Sequence, residues 1–324
     1  MKKQIEKKYD HLKNVMVVTF KKSFWASKEC KVFPNIVYSR YIGRSRNLIN
    51  VFLITFKAFI AAWIYKPKII IFGSAATSVH FFMLLNKLRL IPKTKLIATT
   101  HFMFNDFMAQ FVDRIIVYSS SQIKRHHPSI QNKYIYIPLP ADGEFELCQS
   151  VEPGDYIFSG GGDHRDFKSL IEAVKGLNVK LKIVTFSRKT FDYTGELPDN
   201  CELMWRMPRP DFLKLIAGSL FVVVPLLKGR YPHGHTTIVQ AQCLGKAVIS
   251  NTDASVEDYI TDHQEGLLIP PGDIASYKKA ILELMKNKDL RKFCENNAVE
   301  RSKELTYDAF LQRLSTLCYD MLNS

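Results

Sequence analysis

Short apolar runs alternate with helix-length stretches along almost the whole chain. In the first half, VMVVTF (15–20), KIIIFG (68–73), KLIATT (95–100), RIIVYS (114–119) and YIYIP (134–138) are continuous apolar runs. Such runs read as parallel strands buried on both faces. Helical patterns lie between them, notably at 47–65 and 77–88. In the second half DYIFSG (155–160), KLKIVTF (180–186), LFVVVPL (220–226), KAVIS (246–250) and GLLIP (266–270) repeat the scheme. The spacing there predicts helices near 166–176, 210–218, 236–244, 255–261 and 273–287. Two such sets describe an α/β protein made of two Rossmann-like, doubly wound domains. The Pro- and acid-rich stretch 138–154 is the natural linker. The expected division is an N-terminal domain at 1–147, a second domain at 148–305 and a last helix at 306–324 that packs back across the joint.

Composition agrees with two globular domains. The chain has 324 residues, 47% of them hydrophobic, enough for a core in each half. Its charge is uneven. Residues 1–147 hold 23 Lys+Arg against 8 Asp+Glu, whereas the remainder holds 22 against 23. A basic half of this kind faces an anionic partner (phosphorylated lipid, membrane surface or nucleic acid), unless it reflects a generally basic proteome. Dispersed Lys and Arg without a recognisable module argue against nucleic acid. Residues 48–65, LINVFLITFKAFIAAWIY, come nearest to a membrane span, but Lys57 lies mid-stretch and the length is marginal. They read as an interface-lying helix flanked by Arg40, Arg44, Arg46, Lys66 and Lys68, or as a plain core helix. No N-terminal stretch has the layout of a signal peptide. The six cysteines are scattered without a CxxC pair. They suggest reduced thiols in a cytoplasmic protein, with no zinc site.

Ligands of open α/β sheets bind beyond the carboxyl ends of strands, so the loops leaving those strands carry the candidate chemistry. After 155–160 comes Gly160-Gly161-Gly162, then Asp163, His164 and Arg165 before a helix. That arrangement is either a phosphate cradle with a forked cation or a tight structural turn. After 220–226 a basic loop (Lys228, Gly229, Arg230, Pro232, His233, Gly234, His235) leads to Thr236 and Thr237 at a helix start, an anion site suited to a nucleotide diphosphate. Asp273 reads as a helix N-cap and Glu257 as a loop residue. His126 and His127 read as a solvated helix end, His80 as a core residue and Cys243 as packing.

From about 155 to 303 the chain resembles the donor-binding domain of retaining glycosyltransferase family 4. The resemblance rests on the Gly turn with its "LIEA" helix, the strand "VVVPLL", the helix ending in Gly-Lys, the "VIS" strand and "EGLLIPPGD". It is weaker over "TTH" (99–101), "FVDRIIVYSSSQI" (111–123) and "YIPLPADGEF" (136–145). It implies the GT-B fold, two doubly wound domains facing across a cleft. It also implies transfer of a sugar from a nucleotide-sugar donor, with retention and without a metal or other cofactor. Donor contacts would come from Gly161, Gly162, Arg165, Lys228, Arg230, His233, Gly234, Thr236, Thr237 and Gln240, with His101, Arg165 and His235 as catalytic candidates. Asp113 would be structural.

The chain departs from that family at two glutamates. Gln240 stands at the second, which usually holds the ribose hydroxyls, and Pro232 falls near the first. Arg165 stands where the family's diphosphate pattern has its Lys. The acceptor implied is a saccharide or lipid-linked glycan of surface polysaccharide assembly, with the enzyme peripheral on the cytoplasmic membrane face. A catalytically inactive nucleotide-sugar-binding paralogue is the alternative that the missing glutamates motivate.

Overall fold

The computed structural model describes residues 9–20, 33, 35–39, 48–73, 76–100, 105–141, 145–162, 164–186, 188, 191–229 and 232–324. Two compact units emerge, Met1–Pro138 with Phe310–Ser324, and Leu139–Ala309. Each is built on a six-stranded parallel sheet. Both units are of the α/β, doubly wound class.

In the first unit the strands are β1 (Val15–Phe20), β2 (Asn35–Ser39), β3 (Ile69–Phe72), β4 (Lys95–Thr100), β5 (Arg114–Val117) and β6 (Tyr134–Tyr136). They lie in the order β2-β1-β3-β4-β5-β6. Helices α1 (Leu48–Tyr65) and α2 (Ala76–Lys87) cover the sheet. Met16, Val18, Ile70 and Phe72 of the strands meet Ile54, Ala58 and Phe82 of the helices in one apolar core. Each large side chain buried this way contributes about 1.5–3 kcal/mol. Asp113 serves the sheet as a backbone acceptor, its carboxylate taking the Leu96 N–H at 2.7 Å.

The second unit follows with β7 (Tyr156–Gly160), α3 (Phe167–Val174), β8 (Lys180–Thr185), β9 (Cys201–Trp205), α4 (Arg209–Gly218), β10 (Val222–Val224), α5 (His235–Cys243), β11 (Val248–Asn251), β12 (Gly266–Ile269), α6 (Ile274–Lys286) and α7 (Lys288–Ser302). The last helix is α8 (Tyr307–Asn323). The sheet order is β12-β11-β10-β7-β8-β9. The chain therefore builds outward from β7 to β9, returns, and builds outward again from β10. The place where it reverses lies between β7 and β10, where doubly wound sheets open a crevice. Helix α3 shows why the local sequence folds as it does. Phe167, Leu170, Ile171 and Val174 share one buried face, and the Asp166 carboxylate caps the first turn through the Ser169 N–H at 3.0 Å. Within the first unit, α8 is held by His11, whose Nε2 lies 3.1 Å from the Ser315 carbonyl oxygen. Lys95 Nζ donates to the Met321 carbonyl at 2.6 Å.

Several expectations need correction. The stretch expected to be helical at 255–261 is a chain of turns, with Val256 N–H bonded to Asp253 O and Tyr259 N–H to Val256 O. Its buried Val256, Tyr259 and Ile260 lack the longer periodic face that sustains a helix. Helix α7 escaped the pattern because only Cys294 and Ala298 of its fifteen residues are buried. Strands β2 and β9 were also missed; β9, at the sheet edge, has no fully buried position. His80 is exposed on α2, not in the core. His126 is not solvated: it is 4% exposed, stacked on Tyr134 and 2.6 Å from Asp106, whose carboxyl this bond draws below its ordinary range. Burial pushes the Cys243 thiol up to about 11, so it packs and does not attack.

Two glycines of the second unit separate steric from conformational cost. A Cβ at Gly266 would fall on the Val248 carbonyl across the β11–β12 pair, whereas Gly272, with φ of 75°, has open space around it. Gly266→Ala is expected to destabilise this unit by more than about 3 kcal/mol. Gly272→Ala should cost about 1 kcal/mol. Urea unfolding of the two variants checks the difference.

Candidate functional site

Two loops meet at the reversal between β7 and β10. One leaves Gly160 and enters α3; the other leaves β10 at Pro225 and enters α5. Their backbones are joined: Asp166 N–H donates to Pro225 O at 3.1 Å and Leu227 N–H to His164 O at 3.1 Å. Asn251 holds the second loop from below, its side-chain oxygen accepting from Leu226 N–H at 2.6 Å and from the Tyr277 hydroxyl at 2.8 Å. Burial pushes the Tyr277 hydroxyl well above its ordinary pKa, so it stays a donor. Above this seam the His164 and His233 rings stack at 3.9 Å, 14° from parallel. His164 holds this position at φ of 54°, in the left-handed region.

Arg165 lies under the glycine turn, 5% exposed. Its Nε donates to Gly160 O at 3.2 Å, and its terminal guanidinium nitrogen reaches Thr237 Oγ1 at 3.4 Å. Gly161 is required here: its φ is 137°, and a Cβ would collide with that guanidinium. Helix α5 begins at Gly234, φ 84°, where a Cβ would press on Leu226 and Val224. No side chain caps α5, whereas α3, α6 and α7 are capped by Asp166, Asp273 and Asn287. An uncapped helix start beside a buried guanidinium is a fixed positive field suited to a phosphate group.

These pieces enclose a cavity of 380 Å³ lined by Gly161, Gly162, Arg165, Phe186, Met207, Arg209, Phe212, Thr236, Thr237 and Gln240. Six of the sequence-derived candidates thus share one space: Gly161, Gly162, Arg165, Thr236, Thr237 and Gln240. Lys228 and His233 line a neighbouring cavity of 330 Å³ with Asn251, Asp253 and Ser255. Gly234 starts the helix. His235, 5% exposed, is stacked on Tyr259 at 4.5 Å and lines neither cavity. Its ring is taken up by packing. Glu257 is exposed and lines neither cavity; Asp273 caps α6, accepting from the Ser276 N–H at 3.1 Å. His101 and Arg230 lie outside the described residues.

Sequence reasoning overlooked Phe186, Met207, Arg209 and Phe212. They come from the loops after β8 and β9 and from the start of α4. Phe186 closes the run 180–186 and Phe212 falls in the expected helix 210–218; the rule that loops beyond strand ends bind ligands would have added Met207 and Arg209, had β9 been recognised.

Residues 158–301 match the family model described as "Glycosyl transferases group 1". An uncharacterised glycosyltransferase of Methanocaldococcus jannaschii is 25% identical over 170 residues, covering 52% of this chain and 42% of that protein. The chain thus spans less than half the length of this curated relative. Among solved structures, a glycosyltransferase from Rickettsia africae superposes with a TM-score of 0.67 at 14% identity, over 98% of this chain and 94% of that one. Anabaena HepE in complex with UDP-glucose gives 0.66 at 12% identity, over 90% and 87%. At such identity the structural likeness speaks for the fold. Together they define the fold as GT-B type and show that the segment 158–301 is similar to the group 1 glycosyltransferases.

Arg165→Ala should weaken binding of nucleoside diphosphates by about 2 kcal/mol, roughly thirtyfold in Kd. Calorimetric titration across UDP, GDP and ADP checks this, and an unchanged Kd for whichever one the wild type binds removes Arg165 from the site. His164→Gly relieves the left-handed backbone but loses the ring stack. Its Tm should shift little while nucleotide affinity falls several-fold, and His164→Phe should restore that affinity; equal affinity for all three proteins would dismiss the stacked pair as a support of the site.

Proposed function

We propose that this protein is a nucleotide-sugar-dependent glycosyltransferase whose donor diphosphate is held by Arg165 and the open start of α5. The observation supporting this reading is that Gly161, Gly162, Arg165, Thr236, Thr237 and Gln240, separated by up to eighty residues, line one cavity with a buried cation and an uncapped helix end. In this reading the bond from the anomeric carbon to the diphosphate oxygen breaks, and its electron pair leaves with the diphosphate. Arg165 and the α5 amides stabilise that developing charge, which is where electrostatic catalysis acts. The acceptor hydroxyl bonds to the anomeric carbon on the face the leaving group vacates, with retention, and its proton passes to the departing phosphate oxygen.

Gln240 takes the ribose hydroxyls, since a glutamine keeps an acceptor and adds a donor. Phe186, Met207 and Phe212 offer the base an apolar wall. His233 and Lys228 serve the sugar side, in the adjoining cavity. His101 is retained as the sugar contact that the resemblance to family 4 implies, and His235 is withdrawn from catalysis because its ring is packed on Tyr259. Donor binding needs no metal in this scheme. The acceptor is a saccharide or a lipid-linked glycan of surface polysaccharide assembly, reached from the cytoplasmic face of an anionic membrane. HepE was solved with UDP-glucose and TarM with UDP and α-GlcNAc-glycerol, which supports a nucleotide-sugar donor and a glycan partner here.

Radiolabelled transfer from a panel of UDP-, GDP- and ADP-sugars to a membrane extract tests the proposal. One donor should label the extract, with and without EDTA, and the anomeric proton coupling of the product should match that of the donor. Saturable nucleotide-sugar binding without transfer across the panel favours the inactive paralogue, the reading that Gln240 and Pro232 motivate. Absence of both binding and transfer overturns both.

A further inference from the structure

Helix α1 has two faces of different character from the same apolar composition. Ile54, Ala58, Ala61 and Ala62 point into the core of the first unit. Phe52, Phe56, Ile60, Trp63 and Ile64, at helical spacing, are 44–68% exposed. Helix α2 adds exposed Phe81 and Leu84 beside them, and Leu88 follows at its end. Between the two helices lies an open groove of 540 Å³ walled by Phe52, Phe56, Phe59, Phe81 and Leu85. The Phe52 and Phe56 rings run along its rim, 6.2 Å apart and nearly parallel. A contiguous apolar surface of this kind on a folded unit marks an interaction site.

Its charge identifies the partner. Lys57, Lys66, Lys68, Lys87, Arg89 and Lys93 are all exposed on α1, α2 and the segments that follow them. Residues 30–105 contain no Asp or Glu at all. A second copy meeting this face through its own would set cations against cations. An anionic bilayer satisfies both features at once: headgroups meet the cations while aromatic and aliphatic side chains enter the acyl boundary. Lys57, set among the exposed apolar residues, can extend its ammonium back to the headgroups. No helix among the described residues is long and apolar enough to cross a membrane, so α1 lies in the plane of the interface.

We propose that the α1–α2 face of the first unit is a docking surface for an anionic lipid bilayer, with Phe52, Phe56 and Trp63 as its inserted anchors. The proposal deepens the membrane part of the function proposed above and rests on that part only; it does not depend on the donor site.

The test is sedimentation of the full chain with vesicles of phosphatidylcholine alone or containing phosphatidylglycerol. The wild type should partition onto phosphatidylglycerol vesicles roughly tenfold better than onto neutral ones, with a blue shift of tryptophan emission that Trp63→Phe abolishes. Phe52→Ser with Phe56→Ser, at exposed positions, should reduce partition about tenfold, as should Lys66→Glu with Lys87→Glu and Arg89→Glu. No retention of the wild type, equal retention of wild type and variants, or equal retention on both vesicle types overturns the proposal. So does a dimer, seen by light scattering and dissolved by the phenylalanine variants, that forms in place of vesicle binding. Nucleotide Kd of the phenylalanine variant is measured in parallel and should equal that of the wild type. Loss of vesicle binding with intact nucleotide binding, or the reverse, then tells a failure of the docking surface from a failure of the donor site.

Discussion

A buried guanidinium needs walls on every side, and in this chain the backbone of one loop supplies a wall for the other. Arg165 occupies its place because His164 and Asp166, on either side, are hydrogen-bonded to Leu227 and Pro225. The same seam aims the second loop into α5 and brings Thr237 to the guanidinium. Asn251 and Tyr277 then tie the seam to β11 and α6. The cavity lined by Arg165 and Thr237 is a consequence of this pairing. Without it the glycine turn would be an ordinary tight turn and the α5 start an ordinary helix end.

The pairing also explains how the chain can differ from family 4 at its two glutamates. Where the family 4 resemblance expects a carboxylate near Pro232, this chain has stacked imidazoles next door, and rings in contact hold the two loops together without adding negative charge to the site. Where a second is expected, Gln240 sits in the cavity wall, neutral and still able to accept a hydrogen bond. Both replacements make the electrostatic field of the site more positive. The proposed reaction, in which charge develops on the leaving group, calls for such a field.

The two units divide the physical work differently. The second is nearly charge-balanced and sets its buried guanidinium, Arg165, beside the start of α5. The first is strongly basic and leaves an aromatic helix face uncovered. Phe52 and Ile54 lie two positions apart on α1, yet one is 68% exposed and the other fully buried. Hydrophobicity alone assigns both to a core.

The strand runs of β1, β3, β4 and β7 were legible because a strand buried on both faces reads as a nearly continuous apolar run. Asp273 and the glycines at 161 and 234 were legible in kind, since caps and tight turns have few residue types to choose from. Strands β2 and β9 and helix α7 were not, being edge or surface elements whose burial is partial. The positions of His126, His80 and His235 were also hidden, because whether an imidazole meets water, Asp106 or Tyr259 depends on residues distant along the chain. The sequence by itself determined two doubly wound sheets, a net positive first half and two glycine-bearing loops at strand ends as candidates for the site. Only the tertiary structure decided that these loops share a cavity with Phe186, Met207 and Phe212, and which face of α1 remains open. Strand order and helix rotation are set by packing between segments that local pattern does not relate.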